Sequence, residues 1–316
     1  MEKQPQALDV TPLFRLVGLT DNVVVAVNEH TYEVDLEHPS DNWLYPAFRA
    51  FQELNYRLTA EHKTPHTFTT LGTGPGIDAI GAVQILRPEE IIITDIHPEV
   101  LMLAQQNIEK NVDIKCRALL GNICAPLREQ NIVSDVIYAN LPNVPFAGHK
   151  KEFFDDQITS SFFDGKTISG IPIEFSRYLL AMQYATLLDA RDCLRDGGSL
   201  LLNIGGRVPF HLIEQMCTDA GYMCEELCVM FKAQSQPEVI VKSYAEAERF
   251  GKVEFDFYRF DEANKIAEQF SHRTSTNALK KVLSPYRVSA SQAWDLYTEE
   301  NLRIGHIVHV IRAVKI

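Results

Sequence analysis

Apolar and polar positions along the chain fall into short runs with two different periods. Val23-Val24-Val25-Ala26-Val27 and the alternating Tyr32-Glu33-Val34-Asp35-Leu36 flank the polar stretch Asn28-Glu29-His30-Thr31, which predicts a β-hairpin. Trp43, Leu44, Ala47, Phe48, Phe51 and Leu54 recur every three or four residues, which predicts a helix from Asn42 to about Leu58. From Thr67 the pattern changes. Apolar runs at Phe68–Leu71, Ile91–Asp95, Cys116–Leu120, Asp135–Ala139 and Ser199–Ile204 alternate with helical stretches at Ile77–Ile85, Pro98–Asn111 and from Tyr178 to Leu194. Strands alternating with helices predict a parallel sheet covered on both faces. Right-handed crossovers then bring the carboxyl ends of these strands to one edge, where ligands bind in open α/β sheets.

The residues at those strand ends are glycine and polar types, while the strands themselves are apolar. Gly72-Thr73-Gly74-Pro75-Gly76 closes the first strand. Glycine accepts positive φ and leaves no Cβ between backbone and ligand, so this is a tight turn under a bound group. Asp95 ends the next strand, 19 residues after Gly76. A carboxylate there can accept both hydroxyls of a ribose, and it can also cap the helix that begins at Pro98. Gly121-Asn122-Ile123 ends the third strand. The Asn122 amide can read an adenine edge and Ile123 can lie on the ring face.

In this order, Leu71 to Gly76, Ile93-Thr94-Asp95-Ile96 and Leu120 to Ile123 resemble the core of the class I S-adenosylmethionine (SAM) methyltransferases, over about residues 66–232. A dinucleotide dehydrogenase would carry the G-x-G-x-x-G spacing, which this turn lacks. The resemblance implies a Rossmann-like seven-stranded α/β sheet with an antiparallel last strand, here Ile307 to Ile311, paired with a strand near Cys224 to Phe231. It also implies SAM as cofactor and S-adenosyl-L-homocysteine as product. Gly72, Thr73, Gly74, Gly76, Asp95, Ile96, Asn122, Ile123 and Asn140 are the implied cofactor-binding residues. Residues 1–66 are read as an N-terminal cap of hairpin and helix. Residues 67–316 are read as the methyltransferase domain, with an insertion at about 233–304 that forms a subdomain or a homodimer contact.

Asn140-Leu141-Pro142-Asn143 follows the fourth strand. In this family the loop flanks the transferred methyl group, and many N-methylating members carry Asn-Pro-Pro-Tyr there. Leu141 and Asn143 depart from that pattern and remove the stacking platform for a planar base or amide. Asn203 to Arg207, Pro39 to Trp43, Ser291 to Trp294 and Arg303 to His306 look like the methyltransferase domain of methionine S-methyltransferases. These enzymes make S-methylmethionine, and one bacterial branch does so toward dimethylsulfoniopropionate. The resemblance implies L-methionine as the small-molecule acceptor and Asn140, Pro142 and Tyr138 as the catalytic group. Trp43, Tyr45, Phe146 and Tyr138 are candidates for the wall around sulfur, Arg207 for the carboxylate and Asp41 for the α-amino group. N-methylation of an amide or small metabolite, and a SAM-binding regulatory protein, remain the alternatives.

Composition narrows the partners. The chain has 316 residues with 42 acidic and 30 basic side chains, a formal charge of −12. That balance argues against nucleic acid, because affinity for it rests on Lys and Arg neutralising phosphates. No apolar run reaches 18 residues, so no membrane partner is expected. The start lacks a signal-peptide pattern, and the cysteines, Cys116, Cys124, Cys193, Cys217, Cys224 and Cys228, mostly sit in apolar surroundings, as free thiols of a cytoplasmic protein do. Cys224, Cys228 and His211 have the wrong spacing for zinc, and no metal is expected. His272, Arg273, Lys280, Lys281 and Arg287 form a basic stretch, read as a solvated helix face or a lid over the site.

Overall fold

The computed structural model describes residues 5–28, 30–31, 34–146, 162–164 and 168–316. In chain order its strands are β1 (Gln6–Asp9), β2 (Val24–Val27), β3 (Thr67–Leu71), β4 (Glu90–Asp95), β5 (Lys115–Leu120), β6 (Ser134–Ala139), β7 (Val144–Phe146), β8 (Phe162–Asp164), β9 (Leu194–Gly205), β10 (Tyr222–Ala233), β11 (Phe257–Arg259), β12 (Arg287–Val288) and β13 (Ile304–Lys315). The main sheet is ordered β5-β4-β3-β6-β9-β13, with β10 on the far side of β13. The first five pair in parallel. β13 runs antiparallel to β9 and to β10, with Cys224 opposite Ala313 and Phe231 opposite Ile307. This is the Rossmann-like arrangement expected from the sequence, with its antiparallel last strand.

Alternate residues of one strand feed the cores on the two faces. Ile137, Ala139, Leu200 and Leu202 belong to one apolar cluster. Val136, Tyr138 and Leu201 belong to the other. That is the two-residue period of a strand covered on both sides. Helices Ile77–Leu86 and Pro98–Asn111 carry the crossovers around β3, β4 and β5. Four of the six cysteines, Cys124, Cys193, Cys217 and Cys228, are buried in these cores.

The structure corrects the sequence reading in two places. Val24–Val27 pairs with Gln6–Asp9 and, among the described residues, with no other strand. Tyr32 and Glu33 lie outside the described residues, and Val34 and Leu36 belong to no strand. Two side-chain amides fix β2 instead. Asn107 donates to the Ala26 carbonyl (2.8 Å) and accepts its N–H (2.7 Å), and Asn111 does the same at Val24 (2.9 and 3.1 Å).

The sheet is also wider than seven strands. Among the described residues it holds nine, because β11 pairs with the first residues of β13, beyond the reach of β9, and β12 adds to β11. Both extra strands come from the segment between β10 and β13. That segment also supplies helices Pro237–Gly251, Phe260–Ala267, Thr276–Leu283 and Ala290–Glu300. The last of these opens on a capping box, with Ser289 and Gln292 each satisfying the other's backbone N–H, a local reason for its sharp start. Among the described residues no helix is long and apolar enough to cross a membrane.

Candidate active site

The carboxyl ends of the parallel strands and the start of β13 open into one cavity of about 970 Å³. Sheet order fixes how its wall is composed. Reading along the edge, Asn122 follows β5, Asp95 ends β4, Gly72 and Gly74 follow β3, and Asn140 follows β6. Arg207 follows β9, His306 opens β13 and Lys232 lies near the end of β10. Asp35, Leu36, Glu37 and Trp43 from the N-terminal segment complete the wall.

At the β3 end the backbone itself forms the cavity wall. Gly72, Gly74 and Gly76 have φ of 65°, 52° and 81°, where a Cβ is strained. A Cβ on Gly72 would stand 2.7 Å from Leu141 Cδ2, and one on Gly76 would stand 3.2 Å from the Ala104 carbonyl oxygen. Leu141, which follows Asn140 in the loop after β6, therefore lies directly over the glycine turn. Gly72→Ala should cost about 1–3 kcal/mol of stability. Adding Leu141→Ala should recover the steric part and leave the φ cost, a split that urea denaturation of the single and double variants will read.

Asp95 is buried and lines the cavity. Its Oδ1 accepts the His97 N–H (3.0 Å) and its Oδ2 accepts the Gly74 N–H (3.3 Å). Burial pushes its carboxyl upward against the pull of these backbone donors. The carboxylate thus ties the glycine turn to the next helix, and each oxygen keeps a lone pair for a ligand. Ile96, which is exposed, and Ile123, which is half-buried, add apolar surface to the same cavity.

Beneath the turn, Asp78 is fully buried. Its Oδ2 accepts the Thr70 hydroxyl (2.7 Å) and its Oδ1 accepts the Ala79 N–H (2.8 Å). Desolvation raises its pKa from 3.8 to about 7, against those two hydrogen bonds. A raised acid pKa contributes stability that is complete below the unfolded value. It is lost as pH rises to the folded one. The window here runs from 3.8 to about 7 and corresponds to about 4 kcal/mol. Asp78→Asn keeps the shape and cannot ionise. The stability advantage of the variant over the parent should widen from about pH 4 to pH 7 and then level off, as denaturation at a series of pH values will show.

At the other end Asn140, Leu141, Pro142 and Asn143 line the cavity. The Asn143 amide donates to the Tyr244 hydroxyl. Asn203 Nδ2 donates to the Trp43 carbonyl (3.1 Å) and to the Tyr138 hydroxyl (3.4 Å), binding the N-terminal segment to β9. Arg207 is buried over the faces of Tyr244 and Phe257, 4.8 and 5.4 Å from the ring centroids. Its Nη1 donates to the Tyr244 hydroxyl (3.4 Å), its Nη2 to Gln234, and its Nε finds no partner. Desolvation lowers its pKa. Among the described residues no carboxylate pairs with it.

Of the residues singled out from the sequence, the cavity gathers Gly72, Gly74, Asp95, Ile96, Asn122, Ile123, Asn140, Pro142, Arg207 and Trp43. Thr73 and Gly76 sit behind the wall, holding the turn. The Thr73 N–H donates to the Thr94 carbonyl (3.0 Å) and Gly76 begins the following helix. Tyr138 is a correction. Its ring is fully buried against Phe51, and it reaches the cavity wall only through Asn203. Tyr45 faces away, with its hydroxyl accepting from Arg49 (3.2 Å). Asp41 is committed elsewhere. It accepts the Ala233 N–H (3.1 Å) and pairs with Arg303 (3.6 Å). The side chain of Phe146 lies outside the described residues.

The basic stretch is not a lid either. His272 and Arg273 both bond Glu53 (2.9 Å each), and Lys280 and Arg287 pair with Asp256. Sequence reasoning passed over Lys232, His306 and Gln183, which line the cavity and are buried. Gln183 Oε1 has no hydrogen-bond partner. The available signal was position, since Lys232 and His306 fall at strand ends on the ligand edge.

No family model and no curated protein matches the chain. Among solved structures, it is similar to the precorrin-6y C5,15-methyltransferase of Geobacter metallireducens. The identity is 14%, the TM-score 0.36, and the match covers 84% of this chain and 88% of that one. It is similar to a methyltransferase of Pyrococcus furiosus at 17% identity and TM-score 0.36, over 58% and 77% of the two chains. It is also similar to the N-methyltransferase NodS of Bradyrhizobium japonicum, solved with S-adenosyl-L-homocysteine. There the identity is 12% and the TM-score 0.38, over 66% and 88% of the chains.

Proposed function

We propose that this chain is a SAM-dependent methyltransferase. Its acceptor in this reading is the thioether sulfur of L-methionine, giving S-methylmethionine and S-adenosyl-L-homocysteine. One observation carries the reading. A single cavity has a glycine turn with Asp95 and Asn122 at one end and the buried, carboxylate-free Arg207 at the other. The donor fits the first end. The glycine turn presents Gly72 and Gly74 to the cavity, the spare lone pairs of Asp95 suit ribose hydroxyls, and Asn122 with Ile123 suits adenine.

SAM, when bound, supplies an electrophilic methyl group on a sulfonium. The chain supplies placement. Arg207 holds the acceptor carboxylate, and its planar fork sets orientation as well as charge. Asn140 and Pro142 follow β6, which lies between β3 and β9, and so wall the passage where the two ends meet. A thioether carries no proton, so the site needs in-line positioning and exclusion of water. Trp43 offers an aromatic surface for the sulfonium product. The replacement of an aromatic residue by Asn143, tied to Tyr244, favours a thioether over a planar amide or base.

The test is incubation with methyl-labelled SAM and L-methionine, followed by separation of S-methylmethionine. Labelled product supports the reading. SAM binding without that product overturns the acceptor, and no SAM binding overturns the donor as well.

A further inference from the structure

We propose that the acceptor site is a two-cation carboxylate seat in which Lys232 acts with Arg207, so that the site selects amino acids with a free carboxylate. The identity of that amino acid as a thioether rests on the function proposed above. The seat itself rests on geometry. Lys232 is 4% exposed, lines the cavity, and spends one Nζ hydrogen on the Ala233 carbonyl (2.8 Å). Arg207 is 7% exposed in the same wall, with its Nε unpartnered. Among the described residues neither cation lies within ion-pair distance of a carboxylate. β13 runs between the strands that carry them, and its His306 lines the cavity there.

Two buried cations sharing one wall repel each other, and burial alone makes each costly. A fold keeps such a pair where an anion completes it. The groups that face Lys232 support this. Asp41 and Asp35 favour its charge from the N-terminal segment, and Arg207 opposes it. Asp41 is already engaged by the Ala233 N–H and Arg303, which leaves Lys232 short of a direct counter-ion. His306 adds no third charge. Its Nδ1 lies 3.0 Å from the Ile307 carbonyl oxygen, and burial together with the two cations holds the ring neutral. Nδ1 then carries the proton, and Nε2 is left as an acceptor of the kind an α-ammonium needs. Gln183 Oε1, buried and unpartnered on the same cavity, is a second acceptor of that kind.

The seat has a pH signature. Burial pulls the Lys232 ammonium down to about 8, with Asp41 opposing and Arg207 assisting. Carboxylate affinity should therefore fall as pH rises through about 8, where Lys232 loses its proton. Arginine at this position would stay charged and remove the dependence.

The experiment is calorimetry of the full chain with S-adenosyl-L-homocysteine added to fill the donor site. The probes are L-norleucine, which has the carboxylate and no sulfur, and L-norleucinamide, which has neither. The parent protein should bind norleucine and discriminate against the amide. Lys232→Met should weaken norleucine about tenfold to a hundredfold and leave the amide unchanged. Lys232→Arg should restore norleucine binding and flatten its pH profile. Norleucine binding that is equal in the parent and Lys232→Met, or a pH profile unchanged in Lys232→Arg, overturns the seat. If S-methylmethionine is never formed while norleucine binding still depends on Lys232, the seat stands and the acceptor reading falls. If methionine is methylated with a KM indifferent to Lys232, the reverse holds.

Discussion

Arg207→Ala should raise the KM for L-methionine by about two to three orders of magnitude, while kcat at saturating methionine changes less than about fivefold. Truncating one partner of a buried charge pair costs about 2–5 kcal/mol, and in the proposed function the other partner is the acceptor carboxylate. The loss falls on acceptor binding because Arg207 sits after β9, two strands away from the glycine turn that follows β3. Its guanidinium is held by stacking on Tyr244 and Phe257 and by bonds to Tyr244 and Gln234. Gly205 is part of that hold, since a Cβ there would stand 2.0 Å from Arg207 Nη1. Arg207→Lys keeps a charge but loses the planar fork and the double stack, and should fall between parent and alanine. Steady-state kinetics at fixed saturating SAM checks the series. A KM for methionine unchanged in Arg207→Ala would remove Arg207 from the acceptor site.

The parallel half of the sheet was legible because apolar runs of strand length ended each time in glycine, Asp or Asn. Topology then carried those ends to one edge without any knowledge of side-chain contacts. The same logic put Asp95, Asn122 and Arg207 at strand ends on that edge, and all three line the cavity there. It failed for β2 because local alternation does not say which neighbour a strand takes. Gln6–Asp9 is short and mostly exposed, so it left little hydrophobic signal. Its partner is held by Asn107 and Asn111, 81 and 87 residues away.

Tyr138 was misplaced for a related reason. Its position one residue before the strand end put it on the face that packs against Phe51, and period two sends neighbouring residues to opposite faces. Lys232 and His306 were missed because a charged residue near a strand end ordinarily reads as solvent-facing. Their burial comes from the N-terminal segment, where Asp41 and Trp43 bond β10 and β9, and from the segment between β10 and β13. Neither contact is encoded locally.

Asp95→Ala should weaken S-adenosyl-L-homocysteine by about two to four orders of magnitude in calorimetry and raise the KM for SAM in proportion. Each hydrogen bond from a ribose hydroxyl to a charged acceptor is worth about 1.5–3 kcal/mol, and the substitution removes both. The folded state should change less than the ligand affinity does. Removing the carboxylate forfeits the bonds to the His97 and Gly74 N–H groups but also relieves the burial that pushes its pKa upward, and these oppose one another. Asp95→Asn retains one acceptor oxygen and should lose about half of the binding free energy lost by alanine. The contrast with Arg207 makes the pair decisive. Donor affinity should follow Asp95 and ignore Arg207, while acceptor affinity should do the opposite, because the two side chains close opposite ends of one cavity. If Asp95→Ala bound S-adenosyl-L-homocysteine as tightly as the parent, the nucleotide end would have to be sought elsewhere along the sheet edge.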